Sequence, residues 1–573
     1  FTMSSDLNPV SCIASYLSTI VSTIDGLKVM IFDDDTSGIA SLALSQSDLL
    51  AKQVFLFEKL ANHSNTAGSS SQLAPHLTGV IFVRPTDVNI RLLDTLLSSQ
   101  LSLGKYHLIF SNRLPSSALE SLAAADIHEA VGSVLEMYAD FYPLSSTSFS
   151  LNSPKLLLTP KQSTWAARSG HGLKRHVDGL ASYLLASRRV PPVIRYVSKS
   201  GLAGEVASEL VRRITKADSQ VFSFRVPQEG RGTVLLILDR KDDPVTPLLS
   251  QWTYEAMVHE LLGIHKGRVD LSKAPGVKKD LQEVELTERT DSFFAQRRFD
   301  NFGDLSEGIQ HLVMEYQKRT QTHQKVDSIA DIRRFVEDFP EFRKLEGKVS
   351  KNAAIVFEMS RLVEQRSLYN ISELEQELAN KQDHGTAKMN VMDMLAHPQI
   401  SDDDKVRLVM LYTLRYESAA SNATGQMIDA LRAGGTPQDK IRAISAILEY
   451  AGAGRRAGDV FSNKSLGSIA RSALRRGLKG AVNVYTEHRP ALVDIVENLL
   501  KNKLKTTEYP VAHATATVTA PTELIIFMVG GFTHEEVLAC HEMSEEHGIP
   551  IILGGSDVHN TQSFVRAVVA ARD

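Results

Sequence analysis

Three carboxylates follow an apolar run in residues 235–249, LLILDRKDDPVTPLL. Asp239, Asp242 and Asp243 could supply the oxygen ligands that a divalent cation prefers, which would predict a metal-dependent hydrolase. The same acids could instead pair with Arg240 and accept backbone N–H groups where a helix begins. No glycine-rich loop nearby could hold a nucleotide phosphate. The residues therefore favour a structural corner between two parts of the fold, and the hydrolase remains the alternative.

The other residue types that carry chemistry do not match known catalytic patterns. His541 and His547 in HEMSEEH are six residues apart, whereas metal ligands on one helix face are three or four apart. Neither of the two cysteines, Cys12 and Cys540, lies in a paired motif. The sequence contains no GxSxG, HExxH or kinase signature. We therefore expect a protein that is not an enzyme and that needs no metal or cofactor.

Composition narrows the class of protein further. The chain has 573 residues, too many for one hydrophobic core, so two to four domains are expected. Its 67 acidic and 63 basic residues leave a net charge of −4, which gives no reason to expect nucleic acid as a partner. A run of about 18 apolar residues and a signal-peptide pattern are both lacking. These features predict a cytoplasmic protein without direct membrane insertion.

Short apolar runs alternate with helical patterns in the first 130 residues. Nearly continuous apolar strands between helices indicate a parallel sheet that is covered on both faces. The sequence therefore predicts an α/β domain at this end of the chain. The runs are LKVMIFD (27–33), VFLF (54–57), GVIFVRP (79–85) and YHLIFS (106–111).

A second set of apolar runs is split by a long helical region at about 250–480. The part that follows the helical region spans about 50 residues, which is small for an independent core. We therefore expect a discontinuous α/β domain into which the helical region is inserted. The runs before the insertion are VIRYV (193–197), VFSFR (221–225) and TVLLILD (233–239), and those after it are ELIIFMVGG (523–531) and IPIILGG (549–555).

Two apolar stripes at helical spacing lie on either side of a polar link at 317–328, which predicts a helical hairpin. Pro340 falls inside the second arm, where a proline removes a backbone donor and clashes with the preceding turn, so this arm should bend or stop. The alternative is a plain helix–loop–helix with the proline in a turn. The stripes include Leu305, Ile309 and Leu312 in the first arm and Phe335 and Phe339 in the second.

The acidic corner lies within a longer stretch, residues 235–264, which reads LLILDRKDDPVTPLLSQWTYEAMVHELLGI. This stretch resembles the signature of the Sec/Munc (SM) family of syntaxin-binding regulators of membrane fusion, and its endosomal and trans-Golgi branch in particular. Similar stretches are spread over almost the whole chain. They include KVMIFDDDTSGIAS (28–41), SIADIRRFVEDFPEF (328–342), RLVMLYTLRYE (407–417) and IILGGSDVHNTQSF (551–564).

The resemblance implies an α/β plus α fold, a three-domain arch around a central cleft. Domain 1 would span residues 1–132, and a discontinuous domain 2 would span 133–240 and 481–573, both as parallel-sheet α/β domains. Domain 3, residues 241–480, would be an inserted and mainly helical domain that carries the hairpin near 303–345. The resemblance also implies a monomeric, non-enzymatic chain that is recruited peripherally to Golgi and endosome membranes. An SM subunit of a lysosomal tethering complex is the alternative within the family.

The family resemblance implies that a syntaxin-type (Qa) SNARE is the partner. A short N-terminal peptide of the SNARE would insert apolar side chains into a pocket in segment 116–138 of domain 1. We expect this segment to be helical, and the alternative is that its apolar stripe simply packs on the sheet, with Val131 and Val134 as the candidate core positions. The expected pocket residues are Leu119, Leu122, Ala123, Ile127 and Val131.

The resemblance implies a second surface, formed by the cleft and the hairpin, that would hold SNARE helices while the SNARE complex assembles. Pro340 would act as a hinge of the hairpin. Ser45 stands where some family members carry a basic residue, a departure that bears on whether closed syntaxin is bound. The expected cleft contacts are Asp33, Asp34, Asp35 and Glu58.

The resemblance also assigns the acidic corner to the junction of domains 2 and 3. Asp239, Arg240 and Asp243 would fix this junction through their charges. The helix that follows the corner should place Tyr254, Met257, Val258, Leu261 and Leu262 in the core. Glu260 on the same helix would either pair with a base or face solvent.

Overall fold

The computed structural model describes residues 7–66, 74–99, 101–153, 171–224, 230–277, 279–305, 307–310, 347–380, 383–458, 460–461, 485 and 487–572. The α-helices, numbered in chain order, are α1 (Pro9–Thr23), α2 (Asp34–Ala43), α3 (Gln46–Leu50), α4 (Leu60–Thr66), α5 (Asp87–Ser98), α6 (Ser116–Ala125), α7 (His171–Ala186), α8 (Gly201–Arg212), α9 (Tyr254–Leu261), α10 (Ser292–Arg297), α11 (Gly347–Gln365), α12 (Leu368–Asn380), α13 (His384–Ala396), α14 (Asp402–Arg415), α15 (Thr424–Ala433), α16 (Gln438–Ala451), α17 (Ala491–Leu500), α18 (His534–His547) and α19 (Thr561–Ala570). The strands are β1 (Lys28–Phe32), β2 (Val54–Lys59), β3 (Ala74–Val83), β4 (Leu103–Phe110), β5 (Val131–Glu136), β6 (Tyr142–Pro143), β7 (Ser148–Ser150), β8 (Val193–Tyr196), β9 (Gly230–Asp239), β10 (Arg268–Asp270), β11 (Glu283–Glu285), β12 (Val511–Ala514), β13 (Val518–Val529) and β14 (Ile551–Gly555).

The first sheet has five parallel strands in the order β2-β1-β3-β4-β5. Val29 and Ile31 of β1 pack in one core with residues of α5 and α6, whereas Met30 packs in another core with residues of α1 and α2. Successive side chains of one strand therefore enter opposite layers, as expected for a sheet that is covered by helices on both faces. The predicted α/β domain is confirmed.

Segment 116–138 is not one helix, which corrects the sequence prediction. α6 ends at Ala125, and the carboxylate of Asp126 accepts hydrogen bonds from the backbone nitrogens of Ala130 (2.9 Å) and Val131 (3.1 Å). These bonds close a turn, and β5 follows as an edge strand that pairs with β4. The helical spacing of the apolar residues after 125 is therefore coincidental. The first sheet also extends to Glu136, past the predicted domain boundary at residue 132.

The second sheet has seven strands in the order β12-β8-β9-β13-β14-β7-β6. β9 and β13 pair in parallel, from Val518 opposite Gly230 to Val529 opposite Asp239. Strands β8, β9, β13, β14 and β7 are parallel, and β12 and β6 are antiparallel strands at the two edges. The predicted discontinuous domain is confirmed, because neighbouring central strands come from opposite sides of the insertion.

The strand predicted at 221–225 is wrong for the described residues 221–224, which form a turn. The backbone carbonyl of Asp218 accepts hydrogen bonds from the nitrogens of Val221 (2.9 Å) and Phe222 (3.2 Å). Phe222 is buried all the same and packs in the core that contains the second sheet. The apolar alternation in the described residues 221–224 thus belongs to a turn whose Phe222 packs on the core.

The inserted region is built on α9 to α16, whose apolar residues share one core. The prediction of an almost wholly helical region is wrong just after α9, where β10 and β11 form an antiparallel hairpin. The C-terminal helix α19 packs in the same core, with the ring of Phe564 centred 6.2 Å from the ring of Tyr450 on α16. Assignment of all residues 481–573 to domain 2 is therefore too broad, since α19 fastens the inserted region.

The predicted helical hairpin falls largely outside the described residues. Leu305 and Ile309 of its first arm are buried in the core of the inserted region, and residues 302–305 and 307–310 are helical. Leu312, Phe335, Phe339 and Pro340 lie outside the part of the chain that the structure describes. The hairpin and its hinge therefore stay predictions.

A buried histidine connects α7 with the end of β14. His176 Nδ1 lies 2.7 Å from the carbonyl oxygen of Gly172, and its Nε2 lies 2.6 Å from the hydroxyl oxygen of Ser556. Burial lowers the pKa of His176 from 6.5 to about 4. Protonation of this ring would place a charge in the core, so His176 couples folding to pH.

We expect His176→Phe to reduce the acid sensitivity of folding. The pKa of the folded state lies below that of the unfolded chain, so this histidine lowers the free energy of unfolding as pH falls from 6.5 towards 4. At about pH 5 its contribution is about 2 kcal/mol. Urea denaturation at about pH 7.5 and pH 5 should give a smaller difference in the variant than in the parent protein. His128 is exposed, so His128→Phe should show the same difference between the two pH values as the parent protein. The parent's difference in His176→Phe as well would contradict the role of His176 in the pH dependence.

Candidate functional site

A cavity of about 1280 Å³ lies between the first sheet and the β10–β11 hairpin. One wall comes from α2, α3, β2 and α4, and residues 266–290 of the inserted region line the other. Leu56 and Phe57 of the edge strand β2 line the first wall, and they are 50% and 38% exposed. Lys266 and Arg289 line the opposite wall. Such a groove, with apolar and charged side chains on its walls, can hold an amphipathic helix.

Two of the predicted cleft acids have structural roles. Asp33 caps α2, and its Oδ2 also accepts a hydrogen bond from the side-chain nitrogen of Asn89 at 2.6 Å. Asp35 accepts hydrogen bonds from Arg84 (3.0 Å) and from the hydroxyl of Tyr142 (2.7 Å). Burial would raise the pKa of Asp35, but these two partners outweigh it and hold the pKa below its usual value. The carboxylates of Asp33 and Asp35 are therefore engaged inside the fold, which argues against direct contact with a partner.

The other two acids are accessible to a partner. The Asp34 side chain is 77% exposed and pairs with Lys59 at 2.7 Å. Glu58 lines the cavity with its side chain 40% exposed, and its Oε2 lies 2.6 Å from Nδ1 of the buried His63. The other ring nitrogen of His63 lies 3.2 Å from the Tyr106 hydroxyl, so the histidine orients the Glu58 carboxylate. Glu58 is thus an oriented anionic acceptor beside apolar residues of β2.

Ser45 also lines the cavity, as the N-cap of α3. Its hydroxyl donates to Asp48 Oδ2 at 2.6 Å, and Arg289 lies 3.8 Å from the same carboxylate across the cavity. Positive charge at this end therefore comes from the inserted region. Arg289 and Lys266 were not predicted from the sequence, since both follow from a β-hairpin in a region that was expected to be helical. The available signal was HKGR at 265–268, a glycine-containing turn.

The predicted peptide-binding segment presents some of its residues at the surface. Leu119 and Ile127 are 46% and 64% exposed, and Ala123 is exposed between them. Leu122 is 3% exposed and packs in the core under α6, so it supports this surface from below. Val131 is only partly buried against the same core. Sequence spacing alone could not separate the exposed from the buried members of this set.

Val134 belongs to the same surface, although a core position was expected. It lies opposite Leu108 in the parallel pairing of β4 with β5, and Leu108 shares a core with Leu122 of α6. Val134 therefore faces the α6 side of the sheet, where it is 37% exposed because β5 is an edge strand. We call the exposed apolar side chains of Leu119, Ile127 and Val134 the edge patch, and among the described residues β5 beside them is an edge strand.

The acidic corner is a hydrogen-bonded junction, as the structural interpretation predicts. Asp243 accepts hydrogen bonds from the backbone nitrogens of Thr246 (3.0 Å) and of Ala491 at the start of α17 (2.9 Å). Asp242 accepts one from the backbone nitrogen of Ala457 at 2.7 Å. These carboxylates join the end of β9 to segments before and after the inserted helices. The contacts give no support to the hydrolase.

Arg240 lies at the centre of this corner and is fully buried. Its Nη1 lies 2.6 Å from Glu536 of α18, and its Nη2 donates to the backbone carbonyl of Asp243 at 2.5 Å. Burial would raise the pKa of Asp243, but the charge of Arg240 outweighs it and holds the pKa well below its usual range. Burial and the neighbouring Asp239 raise the pKa of Asp242 to about 7. Within the corner, Arg240 thus favours the charged form of Asp243, whereas burial and Asp239 disfavour the charged form of Asp242.

Glu260 on α9 extends the junction to the end of the chain. Its carboxylate accepts hydrogen bonds from the backbone nitrogen of Thr561 (2.9 Å) and from the hydroxyl of the same residue, at the start of α19. Arg407 lies 4.0 Å away, so the carboxylate both caps a helix and faces a base. Tyr254 and Met257 of α9 are buried as predicted, with Val258 beside them. Leu261 and Leu262 are only partly buried against this core.

Two further properties of the described residues bear on the class of protein. No three or more of their His, Cys, Asp and Glu side chains are grouped in a way that could hold a metal ion. Among the helices in the described ranges, none combines the length and the apolar character that a membrane span requires.

A profile of the Sec1 family matches residues 28–567, and the chain belongs to this family of SM proteins. The chain is 39% identical over 562 residues to vacuolar protein sorting-associated protein 45 of Dictyostelium discoideum, which covers 98% of this chain and 96% of the relative. The human protein of the same name is 38% identical over 569 residues, with 99% of this chain and 96% of the relative covered.

Solved structures agree with this assignment. The SM protein Vps45 in complex with the Qa SNARE Tlg2 superimposes with a TM-score of 0.85 at 36% identity, and the match covers 98% of each chain. A second structure, of the SM protein Vps45, gives a TM-score of 0.82 at 34% identity and covers all of this chain and 98% of the other. The predicted fold class, two α/β domains with a mainly helical insertion, is confirmed.

Proposed function

We propose that this chain binds a syntaxin-type (Qa) SNARE and regulates SNARE complex assembly in vesicle fusion, without chemistry of its own. The observation that carries the proposal is the full-length match to an SM protein solved with a Qa SNARE, at a TM-score of 0.85. The setting we propose is endosomal and trans-Golgi traffic, and the relatives named for vacuolar protein sorting support it. Recruitment to those membranes would be peripheral, through the SNARE.

The edge patch is the proposed site for the N-terminal peptide of the SNARE. Its exposed side chains, Leu119, Ile127 and Val134, offer apolar area that a peptide side chain could cover. Burial of one leucine-sized side chain contributes about 1.5–3 kcal/mol. The free edge of β5 lies beside this area and could pair with an extended peptide backbone. Ala123 and Val131 would border the pocket.

The cavity is the proposed site for a SNARE helix. Phe57 and Leu56 would cover an apolar stripe of the helix, and the Glu58 carboxylate would accept hydrogen bonds from a basic side chain. Asp34 would contribute charge at the rim. The predicted hairpin near 303–345, with Pro340 as its hinge, would extend this surface, and Leu305 and Ile309 would anchor the first arm in the core of the inserted region.

Calorimetric titration of the chain with the cytosolic region of an endosomal syntaxin-type SNARE tests this function. We expect saturable binding to the intact region and weaker binding when the N-terminal peptide is removed, because two surfaces contribute to affinity. Absence of binding to both forms would contradict the proposal for that SNARE. Equal affinity for both forms would remove the edge patch from the proposal and leave the cavity.

A further inference from the structure

Lys266 occupies a turn where a lysine is unexpected. Two backbone hydrogen bonds between His265 and Arg268 close the turn, at 2.8 Å and 3.0 Å. Lys266 and Gly267 are the two central residues of this turn, and their φ angles are +50° and +74°, respectively. Such turns favour asparagine or glycine at the first position, because other side chains are strained in the left-handed region. The lysine therefore adopts an unfavourable backbone conformation that another contact must offset.

The side chain of Lys266 reaches across to both α/β domains. Its stem passes so close to α2 that a Cβ atom on Gly38 would lie 2.9 Å from Lys266 Cδ and 2.9 Å from Cε1 of Tyr142. Its Nζ donates to the backbone carbonyl of Asp34 at 2.9 Å and lies 5.9 Å from the centre of the Tyr142 ring. Since Gly38 belongs to the first sheet domain and Tyr142 to the second sheet, this one residue of the inserted region contacts both.

Neighbouring contacts continue along the same face of α2. A Cβ atom on Gly267 would lie 2.8 Å from Leu42 Cδ2, so the turn also packs tightly on the helix. Arg289, from the other side of the hairpin, donates to the backbone carbonyl of Ser41 at 3.5 Å and lies 3.8 Å from Asp48. Lys266 and Arg289 also line the cavity, so the contact between the domains forms part of its wall.

We propose that Lys266 is a positioning residue that fixes the separation of the two cavity walls and thereby the fit of a SNARE helix. The proposal rests on the proposed function for the cavity and adds the residue that holds it in shape. Gly38 leaves room for the lysine stem, and the left-handed turn aims the stem at α2. This charged side chain of the inserted region contacts both α/β domains. Loss of its contacts would let the hairpin move away from α2.

The variant Lys266→Gly separates this role from the stability of the turn. Glycine relieves the strained backbone, so the turn itself should form at least as well as in the parent protein. Only the contacts of the side chain are lost. Lys273→Ala is the matched control, because Lys273 is an exposed lysine that follows the same hairpin strand. A thermal melt of each variant confirms that it is folded.

Spin labels on Ser47→Cys and Lys279→Cys report the separation of the two walls, because both positions are exposed. The native Cys12 and Cys540 are buried, so labelling is selective. Pulsed electron paramagnetic resonance should give a narrow distance distribution in the parent protein and in Lys273→Ala, and a broader, longer one in Lys266→Gly. An unchanged distribution in Lys266→Gly would overturn the proposal independently of any SNARE.

Calorimetry with two ligands then connects the separation to binding. Affinity for the SNARE helix region without its N-terminal peptide should fall about tenfold in Lys266→Gly, in line with the loss of a hydrogen bond from a charged group. Affinity for the isolated N-terminal peptide should not change. A broadened distance distribution with unchanged affinity for the helix region would overturn the proposed role of Lys266 in the fit of the SNARE helix. Failure of the parent protein to bind the helix region would instead count against the proposed function of the cavity. The distance distributions would still show whether Lys266 fixes the separation of the two walls.

Discussion

Replacement of Arg240 by methionine is expected to lower the free energy of unfolding by about 3–5 kcal/mol, because a buried carboxylate loses its cation. Arg240 and Glu536 are both fully buried and 2.6 Å apart. The variant would also lose the hydrogen bond from Arg240 to the carbonyl of Asp243, which joins β9 to the inserted region. Urea denaturation measures the loss.

Two further variants test whether the loss comes from an unpaired charge. Arg240→Met combined with Glu536→Gln should recover part of the stability, because glutamine keeps the acceptor for the backbone nitrogen of Thr533 without a charge. Arg432→Met breaks an exposed pair with Asp429 and should change stability by less than about 1 kcal/mol. A loss of that small size for Arg240→Met would contradict the role of the buried pair.

The pH dependence of the same variant has a definite sign. Burial raises the pKa of Glu536, and Arg240 opposes this effect. Without Arg240 the carboxyl group would take up a proton more readily, so the unfavourable charge disappears as pH falls. The difference in stability between Arg240→Met and the parent protein should therefore shrink on acidification.

Leu119→Arg is expected to weaken binding of the SNARE N-terminal peptide by roughly 10- to 100-fold, the equivalent of one lost apolar contact. A buried arginine adds a desolvation cost if the peptide still covers it. The fold should tolerate the change, because the Leu119 side chain is 46% exposed on α6. Calorimetry with the peptide measures the effect, and a thermal melt confirms folding.

The control for Leu119→Arg is Met389→Arg. Met389 is 59% exposed on α13 of the inserted region, away from the edge patch, so this variant carries the same new charge and should bind the peptide normally. Leu122→Arg is unsuitable as a test, since Leu122 is 3% exposed in the core and the variant would unfold the first domain. Undiminished binding by a folded Leu119→Arg protein would move the peptide site away from the edge patch.

The parallel core strands were predictable because their apolar runs report burial on both faces. LKVMIFD and TVLLILD are strands β1 and β9 in the structure, near the predicted residues. The discontinuous sheet was also predictable, since the last two runs could not form a core alone. The resemblance to the SM signature predicted where the junction lies, and the structure shows the contact of Arg240 with Glu536 that holds it together.

Features that depend on a particular side-chain contact, rather than on the spacing of apolar residues, were not predictable. β5 is formed because Asp126 closes a turn and β4 offers an edge, and the helical spacing of Val131 and Val134 gives no sign of either. Asp33 and Asp35 look like surface acids in the sequence, because it does not show that Arg84, just after β3, and Asn89 of α5 bind them. Lys266 looks like an ordinary surface lysine, because the sequence does not show that Gly38 and Tyr142 are its neighbours.

The pairing of β9 with β13 has a consequence for synthesis on the ribosome. About 280 residues separate the end of β9 from the start of β13. At 5–20 residues per second, translation of that interval takes roughly 15–60 s. During this time β9 exposes a free edge of the sequence LLIL, which is the kind of strand that pairs with other chains. The nascent protein therefore needs protection by a chaperone or by early packing of the helices, and this need comes from the order of its strands alone.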